Sequence, residues 1–235
     1  MPPIYTLDLN FQGQPHTIAT YLIPHSSGAI LIETGAGSTI SALTTALQNH
    51  GFTPADITHV LLTHIHLDHA GAAGWLARQG AHIYVHKVGT PHLLNPDRLL
   101  ISAERIYREH MKPLWGEFLP VPADNLTSLS DGDTITIGNH QFTALDTPGH
   151  ATHHMSYLWE NVCFTGDVGG VRLPGVAHVR IPAPPPEFHL AQWRTSLARL
   201  RTLDLQHVAP THFGLFNDPQ THFNQVELAL NDLEA

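Results

Sequence analysis

The chain has 235 residues, 42% of them hydrophobic, enough to bury the core of one domain, and its single cysteine, Cys163, excludes an intrachain disulfide framework and cysteine-rich zinc ribbons. Eleven Lys and Arg against twenty Asp and Glu leave a formal charge of −9, which repels nucleic acid and anionic membrane surfaces. The start, Met1-Pro2-Pro3-Ile4-Tyr5, lacks the basic end and apolar run of a secretory signal, and no long apolar stretch follows, so a soluble cytoplasmic protein is expected.

Residues 4–11, 16–23 and 29–33 are rich in β-branched and aromatic side chains and are separated by Gly13-Gln14-Pro15 and Ser26-Ser27-Gly28, which predicts three short strands. Ser38 is placed to cap a helix whose Ile40, Leu43 and Leu47 recur at helical spacing and which His50-Gly51 closes. Residues 57–63 read as a buried strand, 70–79 as a short helix ended by Gly80, and 81–85 as another strand. Between 88 and 122, Leu99, Ile101, Ile106, Tyr107, Met111 and Trp115 fall in a helix-like stretch punctuated by Pro91, Pro96, Pro113 and Pro120, a helical insertion.

Residues 126–129, 134–137 and 141–145, joined by Asp131-Gly132-Asp133 and Gly138-Asn139, are expected to form a second group of strands that 155–159 and 162–165 continue. The prolines at 182–186 precede a helix near 188–203, a strand at 207–209 and a last helix from Pro219 onward. Two strand-rich halves, each with helices, predict two packed sheets covered by helices in one domain spanning 1–235. Several strands in succession argue against a regular barrel of alternating strands and helices.

Twenty histidines in a chain with only 13% charged residues call for a reason, because neutral imidazole is the commonest protein metal ligand. At the end of the buried strand, His64-Ile65-His66-Leu67-Asp68-His69 puts four donors within six residues, on a loop leaving a rigid strand. A chain this rich in histidine can produce such a string by accident. Further donors follow strands at Thr147-Pro148-Gly149-His150, Thr165-Gly166-Asp167 and Pro210-Thr211-His212, and the joint arrangement favours a metal centre.

This combination resembles the metallo-β-lactamase superfamily, and within it the glyoxalase II-like hydrolases, whose motif is His-x-His-x-Asp-His with later His, Asp and His ligands. The resemblance runs from about Glu33 to His212. It implies an α+β fold, the αββα sandwich of two mixed β-sheets flanked by helices. It also implies two divalent ions, zinc foremost with iron or manganese as alternatives: His64, His66 and His150 around one, Asp68, His69 and His212 around the other, and Asp167 bridging. Two such ions share a hydroxide at neutral pH, the nucleophile, and Asp68 is the candidate to orient it as well as coordinate.

The chain departs from the family pattern in two places. Many relatives carry Asp-Thr-Gly where this chain has Glu33-Thr34-Gly35, which puts the usual ligand-supporting role of that carboxylate in doubt. The Pro-Gly-His-Thr-x-Gly-His segment appears as Pro148-Gly149-His150-Ala151-Thr152-His153-His154, so only His154 remains to support a ligand from there. Most of the other histidines are expected on the surface or in structural hydrogen bonds, with His86, His153 and His178 kept as outside candidates. Cys163 reads as buried. Tyr107, Met111, Trp115 and Phe118 read first as core or dimer contact and second as a pocket wall, and Arg172, His178 and Arg180 as candidate anchors for an anionic substrate.

The leading function is metal-dependent hydrolysis of an ester, thioester or lactone of a small molecule by the bridging hydroxide. β-Lactam hydrolysis ranks below it, because the chain lacks the metal-site cysteine of one major group of those enzymes. A phosphodiesterase reading suffers from the lack of a basic track, with only Lys87, Lys112 and nine Arg. An iron-dependent oxidoreductase also fits the donors, although the related diiron flavoproteins place Glu where His66 stands and no flavin domain follows. A non-catalytic metal-binding protein would close its site with four ligands per ion, whereas seven donors around two ions leave positions for water and substrate. No nucleic-acid or membrane partner is expected, and a homodimer stays open.

Overall fold

A computed structural model describes residues 3–175, 177–183 and 187–234. Contacts divide the chain into two compact units, residues 1–129 and 130–235. In the first, strands β1 (Tyr5–Asp8), β2 (Ala19–His25) and β3 (Gly28–Ile32) pair antiparallel. Helix α1 (Ile40–Asn49) then leads to β4 (Ile57–Leu61), helices α2 (Leu67–Ala70) and α3 (Ala73–Arg78) to β5 (His82–His86), and helices α4 (Thr90–Leu94), α5 (Asp97–Tyr107) and α6 (Met111–Trp115) to β6 (Leu126–Leu129). Strands β3 to β6 are parallel neighbours, so the sheet runs in sequence order from β1 to β6. Parallel strands need crossovers, and the helices supply them.

Leu43 and Leu47 of α1 and Ala73, Leu76 and Ala77 of α3 bury against Leu22, Leu31, Val60 and Ile83 of this sheet. Leu99, Leu100, Tyr107, Met111 and Trp115 of the expected insertion pack partly buried on the same core, the core reading of that segment, while Ile101 and Ile106 stay exposed.

The second unit has β7 (Thr134–Ile137), β8 (His140–Asp146), β9 (Met155–Trp159) and β10 (Val162–Phe164) in antiparallel succession. Helix α7 (Leu190–Arg201) precedes β11 (His207–Ala209), which joins β10 in parallel, and α8 (Pro219–Asp232) follows. Trp193, Leu197 and Leu200 of α7 and Phe223, Val226 and Leu230 of α8 cover Leu145, Cys163 and Val208 of the sheet. Cys163 is fully buried, and burial pushes its thiol pKa up to about 12, so it packs as an apolar side chain.

Three sequence expectations are corrected. Residues 126–129 are not the first strand of the second group: β6 pairs with β5 in the first sheet, and the Asp131-Gly132-Asp133 turn links strands of different sheets. Alternation alone does not say which neighbour a strand takes. Ser38 is no cap, since its hydroxyl donates to the Leu114 carbonyl and a 3-10 turn precedes α1. The single helix expected at 70–79 is broken after Ala70, where the Ala72 amide turns to the Gly35 carbonyl and the Thr34 hydroxyl. Of the proline run, Pro184, Pro185 and Pro186 lie outside the described residues. No described helix is long and apolar enough to cross a membrane.

Gly74 of α3 faces the chain after α6: a Cβ there would stand 2.0 Å from the Leu119 carbonyl oxygen. Glycine to alanine inside a helix ordinarily gains about 1 kcal/mol. Gly74→Ala is expected to reverse that sign and lose about 1–3 kcal/mol in urea unfolding, because backbone rather than a pliable side chain blocks the methyl.

Candidate metal centre

The parallel strands of the first unit open their carboxyl ends at one sheet edge, where ligands of α/β sheets collect. Glu33 follows β3 there, and His64, His66, Asp68 and His69 follow β4. Glu33 is fully buried with φ of 68°, a left-handed conformation that a non-glycine residue holds only under constraint. Its carboxylate accepts from the Thr63 hydroxyl, from the Thr63 amide at 3.3 Å and from His69 Nδ1 at 3.1 Å.

These bonds fix tautomers. The Thr63 hydroxyl spends its proton on Glu33 and therefore accepts from His64 Nδ1 at 3.0 Å, which leaves the His64 Nε2 lone pair to accept from His66 Nδ1, 2.9 Å away. His69, donating through Nδ1, likewise keeps a lone pair on Nε2, with Asp68 Oδ2 at 3.6 Å. One buried carboxylate thus orients two motif histidines, directly and through Thr63, and the Glu that departs from the family's Asp reaches both. Glu33, His64 and His69 each bring a donor atom within 4.8 Å of the others, a group able to hold a metal ion.

In the second unit β8, β10 and β11 run in one direction, so the segments after them leave the sheet at one edge. They carry His150, Asp167 and His212. Asp167 presents Oδ2 to His150 Nε2 at 3.3 Å and Oδ1 to His212 Nε2 at 3.4 Å. His150 donates its Nδ1 proton to the Pro182 carbonyl at 2.8 Å, so in the neutral imidazole the nitrogen facing Asp167 bears the lone pair. A lone pair and a carboxylate oxygen at such distances need a proton or a cation between them, and the donor set fits a divalent ion.

His154 supports Asp167 from behind: its Nε2 accepts from the Asp167 amide at 3.1 Å and the Val168 amide at 3.4 Å, while Nδ1 donates to the Thr147 hydroxyl at 3.0 Å. Trp193 Nε1 donates to the Val168 carbonyl at 3.0 Å and steadies the same turn. Sequence reasoning named His154 but missed Thr63, Thr147 and Trp193, whose side chains carry no metal-ligand signature.

The other candidates fall elsewhere. Arg172 is corrected: its side chain is buried and chelates Asp218, with Nη1 and Nη2 at 2.7 and 2.9 Å from the two carboxylate oxygens, so it is not open to an anion. Arg180 is exposed and pairs through its backbone with Val171, and His178 is exposed in the same loop. His86 is buried with Nδ1 accepting from the Val88 amide, and His153 lies 3.2 Å from Glu187. Tyr107 packs edge-on against Trp115; burial and then the Asp68 charge push its pKa up, keeping the phenol protonated beside the motif.

The chain belongs to the metallo-β-lactamase superfamily: the sequence profile of the Metallo-beta-lactamase superfamily matches residues 13–212. It is 27% identical to the metallo-beta-lactamase fold-containing protein ST1585 of Sulfurisphaera tokodaii, over 86% of this chain and 74% of that protein. It is 32% identical to the lactamase-like protein vrtG of Penicillium aethiopicum, over 82% of this chain and 50% of that one. A relative from Aspergillus fumigatus named as an atrochrysone carboxyl ACP thioesterase is 27% identical, over 85% of this chain and 38% of its own length. The chain therefore spans about half or less of these fungal relatives. The solved structures of ST1585 and of TTHA1429 from Thermus thermophilus superpose with TM-scores of 0.77 and 0.75, each at 24% identity, covering the whole of this chain and 87% and 80% of theirs. The fold is thus the superfamily's, two mixed β-sheets with flanking helices.

Glu33→Gln is expected to lower metal affinity about 10–100-fold, because an amide turns a donor toward Thr63 or His69; competition against a chromophoric chelator reads this directly. A second outcome concerns His222, whose pKa burial lowers from 6.5 to about 4. The unfolded chain takes up this proton below pH 6.5 and the folded chain only near 4, so stability is full above pH 6.5 and falls toward pH 4, by about 3 kcal/mol from this residue. Urea melts across that range should show the slope, and His222→Gln should flatten it.

Proposed function

We propose that this chain is a metal-dependent hydrolase that cleaves an ester, thioester or lactone of a small molecule. The observation that carries the reading is the Asp167 carboxylate, whose two oxygens each face the Nε2 of a different histidine, His150 and His212. Together with the superfamily's ligand pattern, it supports assigning His64, His66 and His150 to one ion, Asp68, His69 and His212 to a second, and Asp167 to both.

When bound, such ions supply an activated water and an electrophile for the carbonyl oxygen, and zinc suits these donors, with iron or manganese accepted by the same set. The chain's own contribution is orientation. Glu33 and Thr63 hold His64 and His69 in the tautomer that offers Nε2, the Pro182 carbonyl does so for His150, and His154 fixes the Asp167 turn. In this reading Asp68, part-exposed and 3.6 Å from His69, would orient the attacking water and take up its proton. Tyr107 keeps its phenol proton and can donate to an oxygen near Asp68.

The thioesterase names of the Aspergillus fumigatus relatives support acyl transfer to water among the chemistries this fold hosts. The net charge of −9 argues against a polyanionic substrate. We read the 235 residues as one catalytic domain with a small-molecule substrate, working in the cytoplasm without a nucleic-acid or membrane partner, and leave dimerisation to direct measurement.

Protein reconstituted separately with zinc, manganese and ferrous iron should bind close to two ions per chain by elemental analysis. It should hydrolyse an aryl ester, an acyl thioester or a lactone faster than bis(p-nitrophenyl) phosphate. Asp167→Asn should lose about 100-fold or more in kcat/KM together with bound metal. Absence of bound metal, oxygen consumption without hydrolysis, or faster turnover of the phosphodiester would reject the reading.

A further inference from the structure

Both ligand-bearing turns of the second unit lean on the first turn of α8. Asp218 stands just before that helix, its carboxylate turned to Arg172 rather than to the helix amides, and His222 lies one turn on, so the two side chains share a face and meet Arg172. The guanidinium lies 4.0 Å from the centre of the Phe216 ring, makes two parallel bonds to Asp218, and has Nη1 3.4 Å from His222 Nδ1. With Nδ1 turned to a cation donor, His222 carries its proton on Nε2 and donates it to the Gly169 carbonyl at 2.8 Å. Gly169 closes the 3-10 turn Gly166–Gly169 that bears Asp167.

The backbone of Arg172 reaches the other ligand. Its amide donates to the His212 carbonyl, and its carbonyl accepts from the Phe213 amide at 3.2 Å. We infer that Arg172, Asp218 and His222 form a positioning clamp that holds Asp167 and His212 at the separation a shared cation requires. The clamp acts through the Gly169 carbonyl and the His212 main chain. A bidentate, ring-stacked guanidinium sets direction as well as charge, which lysine cannot reproduce.

The inference rests on the metal reading above, and the experiment separates the two. Zinc affinity of the full chain is measured by chelator competition at a temperature where circular dichroism shows each variant folded, and cobalt-substituted samples report ligand geometry through their visible absorption. Arg172→Lys and His222→Phe are expected to weaken binding of the second ion about 10–100-fold and to shift the cobalt bands. His222→Gln, whose amide still donates to the Gly169 carbonyl, should stay within about threefold of the parent. Leu230→Ala, a buried α8 residue away from the clamp, should lower the melting temperature without changing zinc affinity. If Arg172→Lys and His222→Phe melt earlier yet bind zinc like the parent, the clamp is only structural and the inference is wrong. If the parent binds no zinc, the metal reading falls and takes the inference with it.

Discussion

A neutral imidazole carries one ring proton, so whichever nitrogen donates a hydrogen bond leaves a lone pair on the other. The candidate centre is organised around that constraint. Glu33, Thr63 and the Pro182 carbonyl take the Nδ1 protons of His69, His64 and His150, and three Nε2 lone pairs result. His154 has the opposite tautomer, for the same reason: its Nε2 must accept from the Asp167 and Val168 amides, so its proton sits on Nδ1 and goes to Thr147. Ligand and support histidines are thus distinguished by what their neighbours accept.

Strand direction delivers these groups to the right places. In each unit the donor-bearing segments leave strands that run the same way, so side chains far apart in sequence emerge at one sheet edge. Burial then sharpens the electrostatics. Glu33 and His69 are fully buried and Asp167 nearly so, and in such surroundings a carboxylate must be met by donors or a cation. The left-handed backbone of Glu33 is consistent with a residue kept for what its side chain holds rather than for ease of folding.

Arg172 shows how a chemically sound sequence reading goes astray. A cation in a loop just after Asp167 is a reasonable anchor for an anion, but Asp218 and His222 lie 46 and 50 positions further on and take the guanidinium instead. Their spacing of four residues at the start of a helix was visible in the sequence; their partner was not. The strand at Leu126–Leu129 followed the same course, since its alternation was legible while its neighbour, β5, depended on the path of three intervening helices.

The sequence by itself determined the family, the kind of fold and the donor types, because a dense local motif and turn-bounded donors after strands are properties of order along the chain. Most strand and helix positions were legible for the same reason: periodicity and turn chemistry act over a few residues. Only the tertiary structure decided which proton each histidine gives away, that a glutamate reaches both His69 and Thr63, and that Arg172 faces inward. Those outcomes depend on hydrogen-bond partners supplied from distant segments, and a one-dimensional pattern does not encode which distant acceptor arrives within 3 Å.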